Sequence, residues 1–268
     1  QIARLDARGF VTAADILRLD PLTAEFSGTW LAEAIIGAHA ALGSEPAYVR
    51  PGIDIVSVPR ADVELDIDME NTFNGVYMWG IHVTDRSNTG LVPTGYQSFH
   101  SWEPMTEQVE RDVFNRFWKW LRNVQTTCDE AGASLCAYVW HEPAENAQLL
   151  RVTKSDPLLH HEVEALIESE QWVDLRQVFL TQLATGGSTG LKAIAPLAGF
   201  SWDVADPGGA MSMVYHGLAV SDDADVALHH RAWLTGYNRG DVLATLRIRE
   251  WMETTTFPSL HLEQAQSS

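Results

Sequence analysis

A stretch of strictly alternating apolar and acidic residues, from position 63 to 70, is the feature that most limits how this chain can fold. In a β-strand, successive side chains point to opposite faces, so this stretch would place four carboxylates on one face. The four acids are Glu64, Asp66, Asp68 and Glu70. Two arrangements relieve the repulsion between them. The strand is either a solvated edge strand, or a central strand at whose end Asp68 and Glu70 hold a divalent metal ion.

The rest of the chain predicts an α/β domain with a mixed sheet. After a turn at 71–75, a strongly apolar run at 76–84 and a weaker one at 96–102 complete an antiparallel three-stranded meander. An amphipathic helix over about 107–124 precedes one further strand at 134–140. The later pattern predicts mostly helices, at 142–151, 158–169, 173–184, 191–198 and 209–217, and a long one that ends near 252.

A small helical region is predicted in front of this domain. Thr12 and Asp15 have the spacing of a capping box for a helix over 13–19, and a second helix over 29–42 would end at Gly43. With the turn glycine that precedes it, this pair faintly resembles a helix-hairpin-helix unit that grips a phosphate backbone. A helical cap packed on the main domain is the alternative. The expected organisation is a cap at 1–57, with 48–58 as its linker, a main domain at 58–253 and a tail at 254–268.

Charge and composition limit the possible partners. With 36 acids against 18 bases, the net charge is −18, so the chain as a whole repels nucleic acid and anionic membranes. A polyanion would need a local basic path that rests mainly on arginine. No apolar run approaches the roughly 18 residues of a membrane span, and no secretory leader is visible, so we expect a soluble protein.

Two further observations concern the origin of the chain. Cys128 and Cys136 have no metal-ligand spacing, which indicates reduced thiols and a cytoplasmic location. The first residue is Gln1 rather than an initiator Met, and we therefore expect the chain to be part of a longer protein.

Further acids could converge on the end of the acidic strand. Glu142 and Glu145 follow the last predicted strand, at the position where sites form in open α/β sheets, and Glu142 also suits the first turn of a helix. Tyr237 and Asp241 share a face if their segment is one helix, and stay close if Asn238 begins a new one. Asp and Glu ligands favour Mg²⁺ or Mn²⁺, and two such ions about 3.5–4 Å apart can hydrolyse a phosphodiester.

Taken in order, these features resemble the ribonuclease H-like, DEDD-type exonuclease superfamily. The resemblance is closer to the C-terminal ribonuclease H-like domain of RecB-like nucleases, and it covers most of the chain, from about 58 to 252. No single segment is specific, but the ordered set is. The matching segments are PRADVELDIDME at 59–70, WVDL at 172–175, GLKAI at 190–194, GGAMS at 208–212 and YNRGD at 237–241, followed by Trp251.

The resemblance implies a ribonuclease H-like fold and a metal site in which Asp68 bridges two Mg²⁺ or Mn²⁺ ions. Glu70 and Asp241 would complete the metal ligands, and Tyr237 would orient the attacking water. The middle acid departs from the usual pattern, with Glu145 in that place and Asp174 as the fallback. The candidate substrate contacts are Lys192, through phosphate, and Asn238. With these acids downstream, we expect the acidic strand to be central.

The leading functional hypothesis is therefore a metal-dependent 3′-to-5′ exonuclease that acts on single-stranded DNA or RNA ends. A RecB-like nuclease domain on the same full-length chain is the expected neighbour. One alternative is a catalytically weak or inactive module that holds nucleic acid or a partner beside that nuclease domain. A metallohydrolase of another small phosphoester is a third hypothesis.

Overall fold

The computed structural model describes residues 11–18, 29–205 and 208–260. Within them the chain forms an α/β fold. The strands are β1 (Tyr48–Val49), β2 (Val63–Thr72), β3 (Gly75–Asp85), β4 (Gly95–His100), β5 (Leu135–Val139), β6 (Trp172–Asp174) and β7 (Leu183–Ala184). The helices are α1 (Ala13–Ile16), α2 (Thr29–Leu42), α3 (Glu107–Ala131), α4 (Glu142–Thr153), α5 (Pro157–Ile167), α6 (Leu175–Gln182), α7 (Leu191–Ile194), α8 (Gly209–Ala219) and α9 (Ala224–Thr254).

The acidic strand β2 lies in the middle of a five-stranded mixed sheet of order β4-β3-β2-β5-β6. It pairs antiparallel with β3 on one side and parallel with β5 on the other. The predicted three-stranded meander and the central position of the acidic strand are confirmed. The alternative of a solvated edge strand is wrong, because both edges of β2 are paired and Glu64 and Asp66 are fully buried.

The sequence prediction of one helix over 173–184 is wrong. Trp172–Asp174 forms the fifth strand, β6, which pairs parallel with β5. The Asp174 side chain then accepts a hydrogen bond from the Gln177 N–H at 2.9 Å, so helix α6 begins only after this cap. A buried run this short has no periodicity that separates a strand from a helix. The predicted linker at 48–58 likewise begins with a strand, since β1 pairs antiparallel with β7.

Helices cover both faces of the sheet. Helix α3 packs on the apolar face of β2, where Val63, Leu65 and Ile67 share one core with residues such as Phe117 and Trp79. The rings of Trp79 and Phe117 stack with centroids 4.7 Å apart. The long helix α9 crosses the opposite face of β2 and β3, the face that carries the acids. The site discussed below lies between β2 and α9.

The N-terminal helices follow the predicted pattern where they are described. Thr12 and Asp15 form the expected capping box, although helix α1 ends at Ile16, and α2 ends before Gly43. The turn glycine of the hairpin prediction lies outside the described residues, as do 261–268 of the predicted tail. Leu260 is buried, and its N–H donates to the Val49 carbonyl at 2.9 Å. In the part of the chain that the structure covers, no helix combines the length and apolarity needed to cross a membrane.

Candidate metal centre

Three carboxylates meet where the end of β2 lies against α9. Asp68 and Glu70 come from β2, and Asp241 comes from α9. One ligand oxygen from each lies within 4.8 Å of the others, a spacing at which the three could hold a metal ion. We call Asp68, Glu70 and Asp241 the acid group. Three of the four predicted metal ligands are therefore brought together, by elements about 170 residues apart.

Helix α9 runs without interruption through 237–241, so Asn238 does not begin a new helix. Tyr237 and Asp241 lie one turn apart on one face, as expected for a helix. Both are buried, and each side chain shifts the pKa of the other. The uninterrupted helix therefore holds the phenol and the carboxylate in a fixed relation.

Asn238 positions Asp68. Its amide Nδ2 donates to Asp68 Oδ2 at 2.9 Å, and its Oδ1 accepts a hydrogen bond from the Tyr96 hydroxyl at 2.8 Å. The side chain passes so close to β3 that a Cβ on Gly80 would lie 1.6 Å from Asn238 Oδ1. Both polar ends of the fully buried amide are thus used within the protein. A substrate contact by Asn238 stays a prediction.

Glu70 is held from helix α8. The Ser212 hydroxyl donates to Glu70 Oε2 at 2.5 Å. That hydroxyl is in turn 2.8 Å from the hydroxyl of Tyr77 on β3. All three side chains are buried, so the orientation of the carboxylate is fixed by the packing of α8 against β2.

Asp241 is bound by an indole and an ammonium. Trp202 Nε1 donates to Asp241 Oδ1 at 2.7 Å, and the Lys192 ammonium forms an ion pair with the same oxygen. The Lys192 nitrogen also lies over the rings of Trp202 and Tyr237, 4.0 and 4.4 Å from their centroids. Lys192 is therefore a cation packed against the acid group, and its predicted phosphate contact stays a prediction.

The predicted middle acid, Glu145, does not lie within the acid group. Glu145 on α4 is buried, and its charge adds to the repulsion felt by Asp68, but it lies outside the acid group. Asp174, the fallback, is outside the group as well, and its side chain caps α6. The assignment of Glu145 to this place, with Asp174 as the fallback, stays a prediction.

Burial and mutual repulsion make the acid group hard to ionise. Burial, then the charges of Asp241, Glu70 and Glu145, raises the pKa of Asp68 well above its usual value. Burial and the Asp241 charge raise the pKa of Glu70 to about 8. Burial also raises the pKa of Asp241, against the opposing effects of Lys192 and Trp202. The pKa of the Tyr237 hydroxyl is raised too, so the phenol stays neutral.

Such a group fits a hard divalent cation. A cation that prefers oxygen ligands would remove the repulsion that raises these pKa values, and the buried Glu70 and Asp241 with the partly buried Asp68 supply suitable donors. The same oxygens are already oriented by Asn238, Ser212 and Trp202, which lowers the cost of ordering them on binding. The group offers carboxylate oxygens and contains no Cys or His, and its occupation by Mg²⁺ or Mn²⁺ stays a prediction.

Several residues that build the site had no role in the sequence prediction. Trp202 lies in the loop between α7 and α8, Tyr96 on β4 and Tyr77 on β3, and no spacing links them to the acids. Ser212 lies in one of the segments of the resemblance, but nothing in the sequence connects it with Glu70. The sequence could indicate that Tyr237 and Asp241 are neighbours, because they are four residues apart on one helix. It could not indicate contacts between residues that are distant in the sequence.

Comparisons of the chain with protein-family models, with curated proteins and with solved structures found no match.

Proposed function

We propose that this protein is a metal-dependent nuclease that hydrolyses phosphodiester bonds, acting as a 3′-to-5′ exonuclease on single strands. The observation that carries the proposal is the acid group itself, with two carboxylates at the end of the central strand and a third on a helix that also presents Tyr237. The sheet order β4-β3-β2-β5-β6 is compatible with a ribonuclease H-like fold. Both features support membership of the DEDD-type exonucleases.

In the proposed reaction, a water attacks the phosphorus of the terminal phosphodiester and the bond to the leaving 3′ oxygen breaks. Asp68, Glu70 and Asp241, with Glu145 nearby, would hold Mg²⁺ or Mn²⁺, which supplies charge stabilisation to the phosphate oxygens. The neutral Tyr237 hydroxyl, one helical turn from Asp241, is suited to orient the water. Lys192 brings positive charge to the same place and can neutralise a phosphate oxygen.

The decisive test is digestion of single-stranded DNA and RNA, labelled at either end, with Mn²⁺ or Mg²⁺. We expect shortening from the 3′ end, and its loss in Asp68→Asn and Asp241→Asn. Asp129→Asn is the matched control, because it removes the same charge from an exposed position on α3. The proposal fails if the protein is inert with both metals, or if the two site variants digest as well as the control.

The position of Glu145 outside the acid group favours a second candidate, a non-cutting module that holds nucleic acid or a partner beside a separate nuclease domain. Titration calorimetry with Mn²⁺ separates the two. Tight binding of Mn²⁺ that is lost in Asp68→Asn contradicts the non-cutting module. Weak metal binding together with retained strand binding supports it.

A further inference from the structure

A groove of about 700 Å³ lies between helix α3 and the edge strand β4. Its lining includes three cations and two aromatic rings, from Arg116, Lys119, Arg122, Phe99 and Trp120. We call this surface the basic groove. It lies on the face of the sheet opposite to the acid group: the Phe99 ring packs near α3, whereas Tyr96, three residues earlier on β4, reaches Asn238 on α9.

The basic groove concentrates positive charge in a strongly acidic chain. Residues 113–128 of α3 contain its three cations and no acid, whereas the whole chain has a net charge of −18. Arg116, Lys119 and Arg122 recur every third residue, which keeps neighbouring members close on the helix surface, and all are exposed. Arg116 and Arg122 donate to the uncharged His100 carbonyl and Gln125 side chain. Across the described ranges, none of the three cations is in an ion pair.

The aromatic rings give the basic groove a second kind of contact. Phe99 and Trp120 are half-buried, with ring centroids 5.7 Å apart and planes inclined by 45°. Cations beside partly exposed aromatic rings form the usual combination for single-stranded nucleic acid, because the cations meet phosphates and the rings stack on bases. A partner that was only acidic would have no use for the rings.

Strand register places the basic groove close to the acid group. Asp68 on β2 lies opposite Gly80 on β3, which lies opposite Ser98 on β4. Ser98 is therefore two strand spacings from Asp68, roughly 10 Å, and Phe99 is the next residue. The outer edge of β4 pairs with no strand in the described sheet. A nucleic-acid strand lying in the basic groove therefore has to pass only around the outer edge of β4 to reach the acid group.

We propose that the basic groove binds a single-stranded nucleic acid whose end passes around β4 to the acid group. The inference rests on the proposed function and extends it, because it names the surface through which a chain of net charge −18 can hold a polyanion. The backbone phosphates contact Arg116, Lys119 and Arg122, and a base stacks on Trp120.

The test is equilibrium binding of fluorescent oligo-dT and oligo-U, about 20 nucleotides long, by anisotropy in EDTA at several salt concentrations. Lys119→Glu/Arg122→Glu should weaken binding at least about 10-fold and reduce the slope of log affinity against log salt by about 1.4. Trp120→Ala should weaken it about 10-fold. The matched control, Arg111→Glu/Lys154→Glu, reverses two cations outside the basic groove and should change affinity less than about 3-fold.

Folding of each variant is checked by its thermal melt. Lys119→Glu alone is the second variant if the double reversal unfolds, because Arg122 contacts the buried Gln125 whereas Lys119 is fully on the surface. Equal weakening in groove and control variants would overturn the inference, since only net charge would then matter. Tighter binding of polyglutamate than of either oligonucleotide would overturn it as well.

Digestion by the same variants in Mn²⁺ separates this inference from the proposed function. If the parent digests and the groove variants bind and digest like it, the proposed binding by the basic groove is wrong and the proposed nuclease activity stands. If the groove variants lose binding but the parent never digests, the proposed binding by the basic groove stands and the proposed nuclease activity is wrong.

Discussion

The two halves of strand β2 carry the same alternation of acids and lie under the same helix, α9. They differ in how many cations neutralise those acids. In the first half, Glu64 and Asp66 face Arg249, a fully buried arginine on α9 that binds both carboxylates. Arg60 adds a bidentate contact to Glu64. Two acids are thus matched by two guanidinium groups.

In the second half, the acids outnumber the cation that faces them. Asp68 and Glu70 meet Asp241 and the charge of Glu145, and Lys192 is the cation packed against them. Four carboxylates face one ammonium. Because excess buried charge costs stability, it persists only where something else requires it. Glu64 and Asp66 therefore hold the strand to α9 through their ion pairs, whereas Asp68 and Glu70 keep an excess of negative charge that a bound cation would balance.

The same substitution, Asp to Asn, should have opposite effects in the two halves of β2. Asp68→Asn should lower Mn²⁺-dependent digestion at least about 10³-fold, because it removes a ligand from the acid group. It should raise the melting temperature of the metal-free protein, because it removes one of several repelling charges. Asp66→Asn should do the reverse, lowering stability while keeping the acid group. Digestion assays and melts in EDTA measure both, and equal stability changes in the two variants would contradict the division.

The arginine of the first half should carry a large share of the stability. Arg249→Met removes the partner of two buried carboxylates, and we expect a loss of roughly 3–5 kcal/mol in the free energy of unfolding. Urea denaturation measures it. Arg247→Met is the control, since that side chain is half exposed and should cost less than about 1 kcal/mol. A small effect at Arg249 would show that the two halves of β2 are not distinguished by their cations.

The sequence predicts strand β2 and helix α9, but it does not predict the contacts between them. The alternation at 63–70 predicts the face that the acids share, and the spacing of Tyr237 and Asp241 predicts one helix face, because both are local periodicities. The pairing of Arg249 with Asp66 spans 183 residues and depends on how α9 crosses the sheet. Strand β6 was missed for a related reason, since its identity comes from pairing with β5.

Substitution of Lys192 tests the charge balance in the second half of β2. Its removal leaves the acid group with less compensating charge, so Lys192→Met should destabilise the metal-free protein by about 1–2 kcal/mol. Saturating Mn²⁺ should then stabilise the variant more than it stabilises the parent, because the ion replaces the lost charge. Paired melts with EDTA and with Mn²⁺ measure the difference. Lys154→Met, at an exposed position, is the control and should change neither melt.

The smallest expected effect is a dependence of metal-free stability on pH. The pKa of Glu70 is about 8 when folded, against an ordinary value of 4.5, so between these values the folded protein binds more protons than the unfolded chain. Stability therefore falls as pH rises through this window. We expect the melting temperature in EDTA to drop by roughly 3 °C or more between pH 5.5 and 8.

Glu70→Gln should reduce this drop, because the titrating carboxyl is gone, and saturating Mn²⁺ should reduce it in the parent by favouring the ionised acids. Asp62→Asn is the contrasting variant: hydrogen bonds from Ser87 and Ser134 lower the pKa of Asp62 to about 2, so its loss should leave the slope between pH 5.5 and 8 unchanged. A melting temperature that is flat or rises with pH would mean that the acids of the second half do not repel one another in the folded protein, and the distinction between the two halves of β2 would then disappear.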